Sequence, residues 1–396
     1  MFFSCMLGYY ETDFESDVAS PSSVEFARRL KTGWNLGNTL DAHKGDRQGV
    51  TEAETCRNMP VTQQWMIQDV KKAGFQTIRI PVTWHTHVDS NFIIDEEWMA
   101  RVQQLVDWSI GEGFYAIIDI HHDNLNEEDV RAGKPGFCLS HDFTLQSKSI
   151  KFLTAIWTQV AERFKDYDNR LIFEVLNEPR RKDDFEEWWF LYPPDAKIWN
   201  SYISTYEKHC IQAIRATGGN NRERFIMCPE YAASPNYLEY YTLPPDTAHD
   251  KLLISVHGYV SYQFCSDKAS YTDFTSADEA EVSIMFSNLQ QRITSKGVGV
   301  VMGETGTSDK LNDDEREKWA RSFYSKAKAA NISVLLWDNK STVSIGRDIN
   351  SCDCFGFYKR KNKEWVKGSG KEVEIQGRDR WFFPDLVHVM MESYGN

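Results

Sequence analysis

Two glutamates in this sequence stand where an apolar run ends. Glu178 lies in Leu176-Asn177-Glu178-Pro179, at the end of the run 171–176, and Glu304 lies in Gly303-Glu304-Thr305-Gly306, after the run 298–303. Two carboxyl groups in different surroundings can share the work of glycoside hydrolysis. One donates a proton to the leaving oxygen, while the other, ionised, acts as nucleophile or base. The pair can do this only if the fold brings both side chains to one place.

Short runs with strand propensity alternate along the chain with longer helical patterns. Eight such runs occur, at 33–40, 75–81, 114–121, 171–176, 224–228, 252–257, 298–303 and 332–337. Several are almost wholly apolar, as expected of strands that are buried on both faces of a parallel sheet. Between the runs, apolar residues recur with helical spacing, as at Trp98, Val102, Leu105 and Val106. The alternation predicts an α/β fold, a (β/α)8 TIM barrel.

Polar side chains follow nearly every predicted strand, at the end of the barrel where active sites of this fold lie. The set comprises Asn38, Asp41, Arg79, His121, His122, Asn177, Glu178, Glu230, His257, Tyr259, Glu304, Trp337 and Asp338. One polar residue in such a place is commonplace, but the whole set predicts a single cavity lined by carboxylates, imidazoles, an amide and a guanidinium. Glu178 and Glu304 follow strands four and seven, so we expect them to face each other across this cavity.

The charge balance restricts the class of partner. The chain has 58 acidic and 45 basic residues among 396, a formal net charge of −13. Nucleic acids and anionic membranes both require a basic surface, so neither is expected as a partner. A neutral polysaccharide is compatible with this charge, and the 13 Trp, 17 Tyr and 23 Phe supply rings of the kind that stack on sugars. No apolar run reaches the roughly 18 residues of a membrane span.

Six short segments occur in a fixed order along the chain. They read GWNLGNTLD (33–41), RIPVTW (79–84), IHHD (120–123), FEVLNEP (173–179), VHGY (256–259) and LWDN (336–339). Together they resemble glycoside hydrolase family 5, and most of all its subfamily 4 of endo-β-1,4-glucanases (cellulases). The asparagine–glutamate–proline motif is specific in this setting. The resemblance implies hydrolysis of internal β-1,4 bonds of a β-glucan with retention of configuration, without a metal or a cofactor.

The resemblance also implies roles for the residues nearest the bond that is cleaved. Glu178 would be the acid/base and Glu304 the nucleophile. Asn177 would bind the 2-hydroxyl of the sugar under attack, a contact that strengthens in the transition state. Arg79 would lie beside Glu304 and keep it ionised, because a neighbouring cation lowers the pKa of a carboxylate.

Further residues would bind or orient the sugar, again by resemblance. His257 and Tyr259 would hydrogen-bond the nucleophile or the substrate. His121 and His122 would line the cleft, and for His121 both direct contact with the sugar and support of its neighbours remain open. Trp337 would be the floor under the reacting sugar, offering an apolar face.

The loops after the first, seventh and eighth strands complete this expectation and also depart from the family pattern. Asn38 and Asp41 would bind the next sugar toward the non-reducing end. The residue after the nucleophile is usually aromatic in the family but here is Thr305, which puts the packing under this loop in doubt. A glycine is common where Lys340 stands, so we expect a cation near the non-reducing end of the cleft.

The long segment 179–200 follows strand four and therefore lies beside the acid/base. It carries Trp188, Trp189, Tyr192 and Trp199. These rings suit either of two roles, a wall for the leaving-group sugars or a hydrophobic cover for the next helix.

Two rival functions are each suggested by part of the sequence. The segment His121-His122-Asp123, with His257, suggests a metal-dependent barrel hydrolase, but adjacent strand residues point to opposite faces and the ligand set is incomplete. The second rival is a non-catalytic glucan-binding protein with a relic site. The presence of every implied catalytic group argues against it.

The domain organisation follows from the same pattern. We predict an N-terminal extension at 1–30 and one catalytic domain at 31–396, acting as a monomer. A Gly- and Lys-rich excursion, Lys359 to Arg378, predicts a long hairpin after strand eight, with its turn at Lys361–Lys363. A last helix is predicted at Pro384 to Tyr394.

The sequence gives little indication of the cellular location of the protein or of the chemistry of its cysteines. The start, Met1 to Tyr10, is apolar but lacks a basic region, so it is a poor signal peptide. A secreted protein is expected only because the substrate is a polymer. Eight cysteines are too few for a disulfide scaffold, and the close pair Cys352 and Cys354 has no second pair with which to bind zinc.

Overall fold

Eight parallel strands form a closed barrel in the computed structural model, which describes residues 20–45, 47–267, 270–348, 353–366 and 371–396. The strands are β1 (Thr32–Asn35), β2 (Thr77–Ile80), β3 (Tyr115–Asp119), β4 (Leu171–Glu174), β5 (Ile226–Pro229), β6 (Leu252–His257), β7 (Gly299–Thr305) and β8 (Ser333–Leu336). β8 pairs with β1 and closes the sheet. The predicted TIM barrel is confirmed, and every predicted run overlaps an observed strand.

Helices surround the barrel. They are α1 (Ser23–Leu30), α2 (Val50–Thr55), α3 (Gln64–Lys72), α4 (Glu96–Gly111), α5 (Glu127–Arg131), α6 (Phe143–Arg163), α7 (Ala196–Ala216), α8 (Ser276–Arg292), α9 (Asp313–Ala329) and α10 (Pro384–Tyr394). The long helix α6 is capped and amphipathic. Asp142 caps it by accepting a hydrogen bond from Thr144 N, and Phe152, Ile156 and Val160 line its buried face. Between β5 and β6 the chain makes only short 3₁₀ turns.

The first helix closes the amino end of the barrel. Ser22 and Glu25 form a capping box at its start. Its buried residues Phe26, Ala27 and Leu30 pack against side chains of β3 to β8 that point into the barrel, and the Phe26 ring stacks on Phe225 with centroids 3.7 Å apart. The buried face of residues 23–30, which the sequence assigned to an extension, therefore packs against the interior side chains of the barrel.

The hairpin after β8 exists, but its predicted turn is wrong. Strands β9 (Lys363–Val366) and β10 (Lys371–Glu374) pair antiparallel, with Lys363 opposite Glu374. The carbonyl of Asn362 accepts from Ile375 N at 3.0 Å, so residues 361–363 belong to the stem. β10 is exposed along its whole length, and so no apolar alternation marks it in the sequence. The linking residues 367–370 lie outside the described part.

The expectations about a membrane span and about the Cys352 and Cys354 pair can be compared with the described residues only in part. No helix in the described ranges combines the length and hydropathy needed to cross a bilayer. Cys352 lies outside the described residues, so the expectation for the pair that it forms with Cys354 stays a prediction.

The packing of α1 predicts a stability effect far from the site. Replacing Phe26 with alanine should lower the free energy of unfolding by about 3–5 kcal/mol, because a buried ring is lost and a cavity remains. Denaturant unfolding followed by circular dichroism measures this. Arg29→Ala, on the exposed side of the same helix, should change it by no more than about 0.5 kcal/mol. Equal effects of both variants would contradict the assigned packing.

Candidate active site

The guanidinium of Arg79, on β2, is the centre of a buried hydrogen-bond network. Arg79 is fully buried, and all five of its N–H groups have an acceptor. The acceptors are Glu174 Oε2 (2.6 Å) for Nε, Asn35 Oδ1 (3.1 Å) and Glu304 Oε1 (2.8 Å) for Nη1, and Asp119 Oδ2 (2.7 Å) and Asn177 Oδ1 (2.8 Å) for Nη2. One side chain thus ties together residues of β1, β3, β4 and β7.

Sequence reasoning missed three of these partners, which are Asn35 on β1 and two carboxylic acids, Asp119 and Glu174. Both acids lie inside strands rather than after them, and both are fully buried. Burial raises the pKa of Asp119 to about 6 against the opposing charge of Arg79. Asp119 Oδ1 also accepts from Val82 N, and Glu174 Oε1 accepts from Ser255 Oγ at 2.5 Å. A carboxylate in an otherwise apolar strand was the available signal.

Glu304 reaches the site through an irregularity in β7. Val256 pairs with Met302, but the next residue, His257, pairs with Glu304, so Gly303 is an extra residue. Such a bulge re-aims the side chain that follows it. Glu304 Oε1 accepts from Arg79, and its Oε2 accepts from the Tyr259 hydroxyl at 2.9 Å. Burial raises the pKa of Glu304, against the charges of His257 and Arg79.

Glu178 lies opposite, at the end of β4. Its Oε1 is 2.7 Å from Nδ1 of His257, the same nitrogen that lies 3.7 Å from Glu304 Oε2. One oxygen of each glutamate and a ring nitrogen of His257 all lie within 4.8 Å of one another. The structure therefore brings both glutamates to one point at the mouth of the barrel.

The protonation of this group differs from our expectation of a proton donor with a raised pKa. Burial raises the pKa of Glu178, but the hydrogen bond and charge of His257, together with Arg180, outweigh it and lower this pKa to about 2. Burial lowers the pKa of His257, but Glu304 and Glu178 outweigh it, and the net shift is upward. The directions of these two shifts favour the imidazole over the carboxyl group for the proton between Glu178 and His257.

Two residues predicted to line the cleft lie side by side, Trp337 after β8 and His121 after β3. Trp337 is partly exposed, and its ring lies parallel to His121 with centroids 5.8 Å apart. His121 Nδ1 is 2.7 Å from Asp119 Oδ2, and burial holds the pKa of His121 well below its usual range. His121 is nearly inaccessible, whereas the side chain of His122 is 46% exposed. The geometry thus favours a supporting place for His121 and an accessible one for His122.

The loop after β1 is held by Asp41, which fixes the backbone of Asn38. Asp41 is fully buried, and its oxygens accept from Asn38 N at 3.0 Å and Thr39 N at 2.7 Å. Burial raises the pKa of Asp41 to about 7. Asn38 is partly exposed, with φ of +54°, a conformation that asparagine tolerates. A Cβ on Gly37 would lie 2.9 Å from the Trp337 ring, so glycine is required for this close approach.

Two residues of the predicted ring lie outside the cleft. Glu230 is fully buried between β5 and α7, where Asn200 Nδ2 donates to its Oε2 at 2.9 Å. Asp338 is fully buried, and its Oδ2 accepts from Trp34 Nε1 and from Tyr358 N, each at 2.8 Å. The predicted cleft position of both is wrong, because a residue that follows a strand can turn to the helix layer as readily as to the barrel axis.

The departures from the family pattern have local explanations. The Thr305 hydroxyl donates to Gly258 O at 2.7 Å. The ring of Phe355 lies within 5.5 Å of Tyr259, centroid to centroid, and occupies the space beside Gly306, so an aromatic residue from elsewhere packs under this loop. Lys340 Nζ donates to Asn58 O at 2.8 Å and so joins the loops after β8 and β1.

The aromatic rings of the segment 179–200 divide into a buried set and an exposed set. Trp199 is buried, as is Phe190, and these rings cover the neighbouring core. Trp188, Trp189 and Tyr192 are exposed by 46%, 58% and 63%. The buried rings fix the segment and leave the others facing solvent.

Within the described ranges, two groups of three side chains bring possible metal ligands within 4.8 Å of one another, Asp41–His121–His122 and Glu178–His257–Glu304. The expectation that His121 and His122 point to opposite faces is wrong. Both follow the end of β3, where strand alternation stops, and their rings lie 4.5 Å apart. Asp41 and one nitrogen of His121 are, however, already engaged within the protein.

Known proteins are similar to this chain over most of its length. Residues 41–343 match the family model described as cellulase, glycosyl hydrolase family 5. Endoglucanase 1 of Ruminococcus albus is 33% identical over 96% of this chain and 83% of its own length. Endoglucanase B of Neocallimastix patriciarum is 34% identical over 95% of this chain and 72% of its own length.

Solved structures agree along almost the full length. A mutant of the glycoside hydrolase 5 lichenase from Caldicellulosiruptor sp. F32, in complex with cellotetraose, superposes with a TM-score of 0.82 at 33% identity, covering 96% of both chains. A GH5-4 broad specificity endoglucanase from Ruminococcus champanellensis with bound cellotriose gives 0.80 at 31% identity, covering 94% of this chain and 98% of that one.

The contact between Tyr259 and Glu304 predicts a shift in pH dependence. The Tyr259 hydroxyl donates to Glu304, which favours the carboxylate, so Tyr259→Phe should raise the pKa of Glu304. Activity that needs ionised Glu304 is then lost earlier as the pH falls, and the acid limb of the kcat/KM profile moves to higher pH. At neutral pH, kcat should fall about 10- to 100-fold.

The matched control is Tyr262→Phe, in the same loop with an exposed ring. It should leave the profile in place. An unmoved acid limb in Tyr259→Phe would contradict the assigned contact.

Proposed function

The chain belongs to glycoside hydrolase family 5 and is a glycoside hydrolase of the cellulase type, and from that premise we propose that it cleaves internal β-1,4 bonds of β-glucans with retention of configuration. Glu178 is the acid/base and Glu304 the nucleophile. No metal or cofactor takes part.

One distance carries this proposal. An oxygen of Glu178 and an oxygen of Glu304 lie within 4.8 Å of each other. Retaining glycosidases hold their carboxyl groups about 5–5.5 Å apart, whereas inverting enzymes need about 6.5–9.5 Å to admit a water molecule between carboxylate and sugar. The short separation supports direct attack by a carboxylate on the anomeric carbon.

In the first step Glu304 attacks the anomeric carbon while Glu178 protonates the leaving oxygen. Arg79 and Tyr259 each bind one oxygen of Glu304 and hold it in place for attack. The 2.7 Å contact between His257 Nδ1 and Glu178 Oε1 provides a path by which His257 supplies the proton that Glu178 donates. In the second step Glu178 acts as base toward water, which releases the sugar from Glu304.

The sugar under attack is held by Asn177 and Trp337. Arg79 fixes Asn177 through its Oδ1, which leaves the amide nitrogen to donate to the 2-hydroxyl. Trp337 supplies the apolar floor. His122 and Asn38 are accessible and bind hydroxyls toward the non-reducing end, whereas the buried His121 and Asp41 position them.

The substrates we propose are cellulose-type and mixed-linkage β-glucans. Similar proteins are named endoglucanases, and similar structures include a lichenase and enzymes described as broad specificity endoglucanases. Xyloglucan and xylan share the β-1,4 backbone, so the loops around the cleft decide whether they are accepted. Since such polymers do not enter cells, we propose that the protein is exported. We also propose that it acts as a monomer.

The rival functions explain fewer observations. A metal hydrolase at His121 and His257 would have to break contacts of those rings with Asp119 and Glu178. A relic binding protein does not account for the Arg79 network, in which the guanidinium donates hydrogen bonds to both Glu304 and Asn177. We propose that residues 31–396 form one catalytic domain, with α1 packed against the amino end of its barrel.

The stereochemistry of the product tests this mechanism. Early proton NMR spectra of cellopentaose hydrolysis should show the β-anomer first, followed by slow mutarotation to the α-anomer. The same result is expected with a mixed-linkage oligosaccharide. An α-anomer appearing first would contradict double displacement and require a water molecule between Glu304 and the sugar.

A further inference from the structure

Three side chains from two loops of the barrel bring their polar atoms close together. Asp41 follows β1, and His121 and His122 follow β3. His122 Nε2 lies 3.9 Å from Asp41 Oδ2, and one ligand atom of each of the three residues lies within 4.8 Å of the others. Two ligands of a tetrahedral zinc ion, each about 2.0–2.2 Å from the metal, lie about 3.4 Å apart. The three side chains therefore need only a small movement to hold one ion, and the exposed ring of His122 can make it.

The ring of His121 is held with one nitrogen ready to bind a metal. Its Nδ1 lies 2.7 Å from Asp119 Oδ2, and because an ionised carboxylate only accepts hydrogen bonds, Nδ1 carries the proton. Nε2 is then left with a lone pair. Histidines that bind metals commonly donate their other ring nitrogen to a carboxylate in this way, which fixes both the tautomer and the orientation of the ring.

Asp41 keeps both acceptor capacity and charge. Its two oxygens accept one backbone N–H each, from Asn38 and Thr39, although a carboxylate has about four lone-pair sites. Within the part of the chain that the structure describes, the only nitrogen of a lysine, arginine or histidine side chain within 4.0 Å of an Asp41 oxygen belongs to His122. A fully buried carboxylate with no lysine or arginine in contact is stabilised when a cation joins it.

A threonine hydroxyl holds the two loops together. Thr83 Oγ1 donates to the Asp41 carbonyl at 2.7 Å and accepts from His122 N at 3.2 Å. The His121 N–H donates to Val82 O at 2.9 Å. All three residues are thus fixed to the same segment after β2, which reduces the loss of conformational entropy when an ion binds.

The second group of possible ligands, Glu178–His257–Glu304, is less suited to a cation. Arg79 Nη1 already donates to Glu304 Oε1 at 2.8 Å. His257 Nδ1 lies between the two carboxylates, 2.7 Å from Glu178 and 3.7 Å from Glu304, and a metal would have to displace it. The negative charge of this group is therefore already balanced by side chains of the protein.

We propose that Asp41, His121 and His122 form a site for a divalent cation of the zinc class, and that an ion bound there inhibits the enzyme. Imidazole nitrogens favour zinc over magnesium and calcium, which prefer oxygen ligands. Three protein ligands leave the fourth position of a tetrahedral ion open to water. The inhibition, though not the site, rests on the proposed function, in which His122 binds a sugar hydroxyl. A ring that holds zinc is withdrawn from the sugar.

Calorimetric titration with zinc chloride tests the site without any substrate. The wild type at pH 7 should bind one ion per chain, and His122→Gln, which changes an exposed ring, should bind it at least about 100-fold more weakly. Loss of an outer-shell partner alone costs about 10- to 100-fold in affinity, and loss of a ligand costs more. Circular dichroism checks that the variant is folded.

The matched control is His43→Gln. The His43 ring lies 6.0 Å from that of His122, centroid to centroid, but Gly45 N donates to its Nδ1, so Nε2 carries the proton and offers no lone pair. This variant and Glu178→Gln should both retain the wild-type affinity for zinc. Absence of zinc binding in the wild type, equal weakening in His122→Gln and His43→Gln, or weakening in Glu178→Gln alone would overturn the site.

Kinetics with cellopentaose test the inhibition. Zinc at ten times its dissociation constant should raise KM about 11-fold and leave kcat unchanged, because the ion and the sugar compete for one residue, and excess EDTA should restore KM. Magnesium chloride at the same concentration should change neither constant. A fall in kcat without a rise in KM would overturn inhibition by competition. A wild type that does not hydrolyse cellopentaose would overturn the proposed function, whereas the calorimetric result on the site would stand.

Discussion

A single buried cation organises the upper interior of this barrel. Arg79 satisfies all five of its donors with residues from four other strands or their ends, and three of these residues are carboxylic acids. A buried charge of this kind is stable only with its partners in place, and removing one side typically costs about 3–5 kcal/mol. The positions of Glu304 and Asn177 are therefore fixed by the same hydrogen bonds that stabilise the buried charge of Arg79. Reactive geometry and fold stability cannot be varied independently here.

The positions of the other residues around Arg79 depend on the local geometry at the ends of the strands. The bulge at Gly303 turns Glu304 inward, and His257 on the neighbouring strand then lies between the two glutamates. These side chains stand on rigid strands, whereas Trp188 stands on a loop anchored by buried rings. The division suits an enzyme whose chemistry is constant and whose substrate range depends on loops.

The sequence predicts the barrel well because buried parallel strands leave apolar runs at regular intervals. It also brings Glu178 and Glu304 together, since residues that follow strands share one face of the barrel. It does not tell which way such a residue turns, and so Glu230 and Asp338 were placed in the cleft. Asp119 and Glu174 were missed because they lie within strands, where a carboxylate is visible in the sequence but its partner is not. The opposite pKa shifts of Glu178 and His257 depend on distances of a few ångströms, which no spacing of residues in the sequence encodes.

The central claim is that Arg79 holds Glu304 as the residue that bonds to the sugar. The most direct measurement is mass spectrometry of the protein after reaction with an activated 2-deoxy-2-fluoro-β-cellobioside, whose fluorine slows breakdown of the glycosyl-enzyme. The account predicts one covalent sugar per chain, on the peptide that contains Glu304, and its loss in Glu304→Gln. A label on Glu178, or turnover without any adduct, would contradict it.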